Sequence, residues 1–213
     1  MTLTVNEVFL SIQGEGTRAG LPCLFVRLTG CPLRCTWCDS AYAFHEGTRR
    51  SEDEVVAELL AHTCRLVTLT GGEPLAQAAA FPFVTRLLDA GFTVLVETSG
   101  HISIADLDPR AVAILDVKCP GSGESERMDW TNVDRLRAKD EAKFVIADRR
   151  DYEWARDLVR ERRLGERCTV LFSPVHGAVD PGALGRWILD DGLPVRLQVQ
   201  LHKYLWPGVE RGV

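Results

Sequence analysis

Three cysteines of this 213-residue chain crowd into one short segment, Cys31, Cys35 and Cys38, in the order C-x3-C-x2-C. Three thiolates on one loop can hold three irons of a 4Fe-4S cube and leave the fourth iron without a protein ligand, whereas an electron-transfer cluster takes four cysteines. A vacant iron corner is a place where a small molecule binds and reacts. Zinc is the competing choice, but zinc knuckles come in pairs, and no second C-x2-C or C-x2-H pair completes one here. The remaining cysteines, Cys23, Cys64, Cys119 and Cys168, stand singly and read as small buried hydrophobes. Seven cysteines without a secretory leader suit a reducing compartment, so a cytoplasmic location is expected.

Beyond the cluster loop, Thr70, Gly71, Gly72, Glu73 and Pro74 follow an apolar run directly. Adjacent glycines remove side chains where a ligand must approach the backbone, and the proline stiffens the exit of the turn. An ordinary strand-to-helix turn reads the same way. Asp116 and Lys118 end a later apolar run and read equally as a surface pair.

Taken together, these motifs resemble the radical S-adenosylmethionine enzymes, whose signature is the same cysteine spacing with an aromatic residue, here Trp37, before the last Cys. The resemblance implies that S-adenosylmethionine chelates the fourth iron and that an electron from the cluster breaks its S–C5′ bond, releasing a radical that abstracts a substrate hydrogen. It further implies cofactor contacts from Trp37, Cys38, Asp39, Gly71, Gly72, Glu73, Ser99, Asp116, Val117, Lys118, Ser173 and Pro174. The Gly-Gly-Glu motif takes the methionine amino group in that family.

Three further segments narrow the likeness: Ser11 to Gly16 (SIQGEG), Phe25 to Leu28 (FVRL), and Leu197 to Tyr204 (LQVQLHKY). With Cys38, Asp39 and Ser40, they are similar to the 7-carboxy-7-deazaguanine synthases of the queuosine route, over roughly residues 5 to 207. This likeness implies a carboxylated tetrahydropterin as substrate, held by Ile12, Gln13, Gly14, Glu15, Arg27, Thr70 and His202, with Lys203 a further candidate. Gln13 and Glu15 can read the pterin edge by hydrogen bonds, and Arg27 can clamp a carboxylate with two parallel bonds. Ser40 aligns with a position whose hydroxyl ligates Mg²⁺ in that family, where many members carry Thr. An external electron donor such as flavodoxin or ferredoxin is implied as well. The family's chain terminus lies near the substrate, whereas this chain runs on from Pro207 to Val213. The histidines His45, His62, His101 and His176 show no metal spacing. Rival readings are a glycyl-radical activating enzyme, with the same three cysteines, or a metal-binding module without catalysis.

Positioning such a site requires a particular frame. Short apolar or β-branched runs recur, each followed by helical spacing, the sequence form of βα units. Strands are expected at residues 24–28, 66–69, 93–97, 112–116, 143–147, 169–172 and 195–199, and an added edge strand at 5–12. Helices are expected at 52–62, 77–89, 152–163 and 181–189, and a loop at 121–127. His202 is placed on the last strand or its end. Seven parallel strands are too few for a closed eight-stranded barrel, so the expected fold is α/β, a partial (β/α) barrel of the radical S-adenosylmethionine type with a shortened core. It fills residues 1–213 as one domain, with the substrate between the first and last strands. Exposed sheet edges invite a homodimer. Thirty acids against 25 Lys and Arg, net charge −5, disfavour nucleic acid as a partner. No apolar run reaches the 18 residues or so that a membrane span needs.

Overall fold

A computed structural model describes residues Met1–Val213. In chain order it contains β1 (Thr2–Ile12), β2 (Pro22–Leu28), β3 (Thr48–Ser51), α1 (Glu52–Leu60), β4 (Leu66–Gly71), α2 (Ala80–Asp89), β5 (Thr93–Thr98) and β6 (Val112–Val117). There follow α3 (Thr131–Arg135), β7 (Glu141–Ile146), α4 (Arg149–Glu161), β8 (Thr169–Pro174), α5 (Pro181–Asp190), β9 (Arg196–Leu197) and α6 (Leu201–Leu205). All nine strands form one open sheet in the order β3-β1-β2-β4-β5-β6-β7-β8-β9. From β2 through β9 neighbouring strands are parallel, while β1 runs antiparallel to both β2 and β3. No helix is long and apolar enough to cross a membrane.

The sheet separates two environments. Its helix-facing side carries Leu24, Val26, Leu28, Val67, Leu69, Val94, Val96, Ala113 and Leu115, packed against Val55, Leu59, Phe83, Leu87 and Tyr152 in one core. Each fully buried Leu, Val or Phe there contributes about 1.5–3 kcal/mol through lost apolar hydration. The opposite face starts apolar, with Leu95, Val112 and Ile114 packed by Leu66. Toward the strand ends it turns polar, carrying Thr68, Thr70, Glu97, Asp116 and Lys143. Side-chain alternation in a strand sorts the two sets, since successive residues point to opposite faces.

Local chemistry fixes the helix starts. Ser51 and Glu54 form a reciprocal capping box at α1, with Glu54 N donating to Ser51 Oγ at 3.2 Å and Ser51 N to Glu54 Oε2 at 2.7 Å. Asp148 caps α4 and Asp180 caps α5, where Pro181 opens the first turn.

The sequence expectation for the open, shortened barrel matches this sheet, but several elements differ. β1 is not an edge strand: the short, polar β3 pairs along its outer side. The last strand shrinks to Arg196–Leu197, so His202 lies in the α6 turn rather than on a strand. Pro174 and Pro194 supply no N–H for a longer β8–β9 ladder. The segment expected as a loop holds two 3-10 turns, Pro120–Ser122 and Ser125–Arg127. The helix expected from residue 77 starts at Ala80, after a 3-10 turn over Pro74–Ala76.

Candidate active site

The cluster loop leaves β2 at Leu28 and is anchored from several sides. Gly30 N donates to Ala43 O at 2.8 Å, Thr36 N to Ser122 O at 3.1 Å, and Arg34 N to the buried Glu124 Oε1 at 2.5 Å. Arg127 reaches Pro32 O at 2.6 Å, and Leu33 is buried beneath the loop. The segment 121–127 is therefore the platform under the cysteines. Glu124 gave no sequence signal beyond being an acid in a glycine-rich stretch.

Cys31, Cys35 and Cys38 are half-buried free thiols. They lie close enough that Cys38 and Cys31 each act electrostatically on Cys35. Burial pushes the Cys31 and Cys35 thiols up, and the Lys118 ammonium pulls both back. Ligation needs thiolates, and bound iron together with Lys118 supplies the positive charge that favours them. No set of three acidic, His or Cys side chains converges on a single-ion position. Three thiols on one anchored loop, with a cation beside them, fit a polynuclear cluster held by three corners. Ser40 Oγ lies 4.0 Å from Cys38 Sγ.

The glycine pair meets the cluster loop itself. A Cβ on Gly71, whose φ is +153°, would fall 2.2 Å from Leu28 O, and one on Gly72 would fall 2.4 Å from Gly30 O and 2.6 Å from Cys31 Cβ. Gly72 N donates to Leu28 O at 3.2 Å and Glu73 N to Gly30 O at 2.8 Å, which straps β4 to the cysteine loop. Glu73 is fully buried. Its Oε1 accepts from Leu75 N (3.0 Å) and Thr98 Oγ1 (2.9 Å); its Oε2 accepts from Ser99 N (2.7 Å), Ser99 Oγ (2.6 Å) and Thr98 Oγ1 (3.0 Å). The Glu73 carboxylate is thus spent inside the protein, fixing Ser99 and the turn after β4.

At the end of β6, Lys118 Nζ sits 3.0 Å from Asp116 Oδ2, with both side chains at most 20% exposed. This is no surface pair. Burial opposes the Asp116 charge, but Lys118 and then Lys143 hold its carboxyl below the ordinary range, and Lys118 is pushed up to about 12 despite burial. Asp116 Oδ1 is buried with no hydrogen-bond partner, an acceptor that a ligand hydroxyl would satisfy. Val117 points into the helix-side core, leaving only its main chain to this site. Ser173 and Pro174 end β8, both buried.

The loop between β1 and β2 closes the gap to the last strand. Gln13 is buried, and its Nε2 donates to Thr68 Oγ1 at 2.8 Å. Glu15 meets Lys143 Nζ at 2.8 Å, Gln200 Nε2 at 2.9 Å and Gln198 Nε2 at 3.4 Å. Burial would raise Glu15, yet Lys143 outweighs it and keeps the carboxylate ionised. Leu201 N donates to Gly14 O at 3.0 Å, and a Cβ on Gly14 would overlap His202 Nδ1 at 2.3 Å. Burial keeps the His202 pKa below its ordinary value. Ile12 shares the outward side of β1 with the exposed Leu10, so its backbone alone can serve the polar face of the sheet, the lumen side opposite the helices. Asp39 joins the far side through Gln200 at 2.9 Å and Lys203 at 3.4 Å.

Arg27 faces the same lumen. Its Nε donates to Glu7 Oε1 at 2.7 Å, and its guanidinium lies 5.8 Å from the Phe9 ring and 5.6 Å from the Tyr42 ring. Tyr42 Oη also donates to Glu7 Oε1 at 2.8 Å, and Gly212 N donates to Glu7 Oε2 at 3.1 Å. The tail after Pro207 therefore folds back on the Glu7–Arg27 pair. Thr70 Oγ1 donates to Glu97 Oε2 at 2.8 Å, and burial holds the Glu97 carboxyl above the usual range. Glu97, which the family resemblance implied as a cofactor contact together with Thr98, Ser99 and Gly100, instead bonds Thr70. Glu7, Lys143, Gln198 and Gln200 escaped assignment to the site from sequence. The findable signal was a charged residue at an inward position of an otherwise apolar strand, as at Lys143.

Comparison with known proteins agrees with this geometry. The Radical SAM superfamily pattern matches residues 25–115. A 7-carboxy-7-deazaguanine synthase of Koribacter versatilis is 45% identical, the match covering 99% of this chain and 100% of that protein. The synthase of Chlorobaculum tepidum is 42% identical over 99% of this chain and 97% of its own length. The crystal structure of QueE from Escherichia coli superposes with a TM-score of 0.77 over 95% of each chain, at 23% identity, a likeness of fold.

Proposed function

The chain belongs to the 7-carboxy-7-deazaguanine synthases of the radical S-adenosylmethionine superfamily, and from that premise we propose that it contracts the ring of 6-carboxy-5,6,7,8-tetrahydropterin to 7-carboxy-7-deazaguanine with loss of ammonia. When bound, a 4Fe-4S cluster and S-adenosylmethionine supply the one-electron chemistry that starts the reaction, fed by an external donor such as a flavodoxin or ferredoxin. Cys31, Cys35 and Cys38 hold the cluster. The single observation that carries the reading is the pairing of this three-thiol loop with the buried charge pairs Asp116–Lys118 and Glu15–Lys143 on the sheet face beside it.

Cofactor binding falls to the strand ends. Gly72 O, which no donor in the chain engages, accepts the amino group. Ser99, pinned by Glu73, faces the carboxylate; Asp116 Oδ1 takes a ribose hydroxyl; and Trp37, Cys38, Asp39, Ser173 and Pro174 wall the remainder. Substrate binding falls to the closing loop. Glu15 and Gln13 accept from and donate to the pterin edge, and Arg27 turns its two terminal nitrogens, free of partners in the chain, to the substrate carboxylate. Thr70 and His202 complete the contacts, with His202 neutral at pH 7 and able to accept or donate. Ser40 offers an oxygen donor to Mg²⁺. A homodimer would cover one of the two short free edges, β3 or β9.

The test is to incubate reduced, iron-reconstituted protein with S-adenosylmethionine, Mg²⁺ and the carboxypterin. Mass analysis should show 7-carboxy-7-deazaguanine. Cofactor cleavage with the pterin returned intact would exclude the assigned substrate.

A further inference from the structure

Lys143 stands in the middle of the lumen with no role yet assigned. It lies on β7 in register with Asp116 of β6. Its side chain is 12% exposed, with Nζ 2.8 Å from Glu15 Oε2 and 3.6 Å from Asp116 Oδ2. Asp116 has a second cation in Lys118 at 3.0 Å. Glu15 has none: its other partners are the neutral amides of Gln198 and Gln200. Glu15 also sits outside regular structure, on the closing loop, where its N–H donates to Gln13 Oε1 at 3.1 Å; the direction of its carboxylate rests on Lys143, Gln198 and Gln200. The rest of the loop is tied elsewhere, with Gly16 N donating to Gln198 Oε1 at 2.5 Å and Thr17 Oγ1 to Glu141 Oε1 at 2.5 Å.

A buried carboxylate that loses its only counter-ion is left uncompensated and turns away or takes up a proton. We propose that Lys143 is a positioning residue for substrate recognition: it holds Glu15 ionised and aimed at the N–H edge of the pterin. This rests on the assignment of Glu15 to the substrate. Because Lys118 still serves Asp116, removal of the Lys143 charge falls on substrate binding rather than on the cofactor.

The experiment is calorimetric titration of the reconstituted holoenzyme with the carboxypterin and, separately, with S-adenosylmethionine, for the wild type, Lys143→Met, Lys143→Arg, Glu15→Gln and the Glu15→Gln/Lys143→Met double variant. Lys143→Met should weaken substrate binding about a hundredfold, as loss of one partner of a buried charge pair does. Its cofactor binding should stay within about threefold of wild type, and Lys143→Arg should recover at least about tenfold of the loss. Since both single changes break the same contact, the double variant should lose no more than the worse single one. Substrate binding by Lys143→Met within about threefold of wild type would overturn the proposal. So would equal losses for both ligands, or additive losses in the double variant. If Lys143→Met fails to fold, Glu15→Gln with and without Lys143→Arg decides: selective loss of substrate binding that Lys143→Arg does not deepen supports the proposal, and a further loss on adding Lys143→Arg overturns it. Wild-type protein that does not bind the carboxypterin overturns the Glu15 assignment itself, whereas normal wild-type binding with an indifferent Lys143 overturns the present inference alone.

Discussion

Glu73→Gln separates a residue that touches the cofactor from one that builds the place where it binds. The amide keeps the size of the side chain but replaces one acceptor oxygen by a donor. Either orientation of that amide fails. With nitrogen at the Oε1 position it meets Leu75 N, and at the Oε2 position it meets Ser99 N. One buried N–H is left unpaired at a cost of about 1–3 kcal/mol. The surviving bonds also lose the charge that made them strong, so the total is on the order of 3–4 kcal/mol. For a chain of this length that lowers the melting temperature by about 6–15 °C. Ser99 is then no longer held, and S-adenosylmethionine binding should weaken while iron content stays at the wild-type level. Differential scanning calorimetry, iron analysis and cofactor titration read the three effects. An unchanged melting temperature with weakened cofactor binding would show Glu73 to be a direct ligand and refute the positioning argument.

Arg27→Lys removes the planar fork while keeping a charge, and should weaken carboxypterin binding about 10- to 100-fold, with cofactor binding unchanged; equal losses in both titrations would make Arg27 merely structural. Glu97→Gln should stabilise the fold at neutral pH. Burial raises the Glu97 carboxyl, so the folded state favours a proton that the unfolded chain releases above about pH 4.3. The stability this gives is complete below that value and fades as pH rises through the folded one, so the gain in melting temperature from the variant should be largest near pH 8 and vanish toward pH 4. A gap independent of pH would contradict it. Cys35→Ala should abolish both cluster assembly and 5′-deoxyadenosine formation, and continued production of that nucleoside would remove Cys35 from the ligand set.

Much of this frame was readable because parallel strands announce themselves as runs such as Leu66–Leu69 and Val112–Leu115 between helical stretches. β3 was not, since Thr48–Ser51 is polar and gains its place only from β1 alongside. His202 was misplaced because alternation over Val195–Val199 resembles a strand, while Pro194 and solvent exposure cut that strand to two residues. The cysteines and glycines of the site were legible from type and spacing. Their supports were not: Glu124 under the cluster loop, Glu7 behind Arg27 and Lys143 beside Glu15 act across separations of 90, 20 and 128 residues. Local pattern carries no record of such distant pairings. The glycine pair shows the limit from the other side: the crowding expected from a ligand comes from the protein itself, the Leu28 backbone against Gly71 and the Gly30 backbone and Cys31 Cβ against Gly72.

The most direct test of the open-cornered cluster follows the reduced, reconstituted protein by electron paramagnetic resonance while S-adenosylmethionine is added. Three cysteine corners and one vacant iron predict about four irons per chain and a signal whose g-values move on addition of the cofactor, with saturation at one equivalent. A signal indifferent to the cofactor would mean that every iron already has a protein ligand, and the assignment of Cys31, Cys35 and Cys38 as an open-cornered site would be wrong.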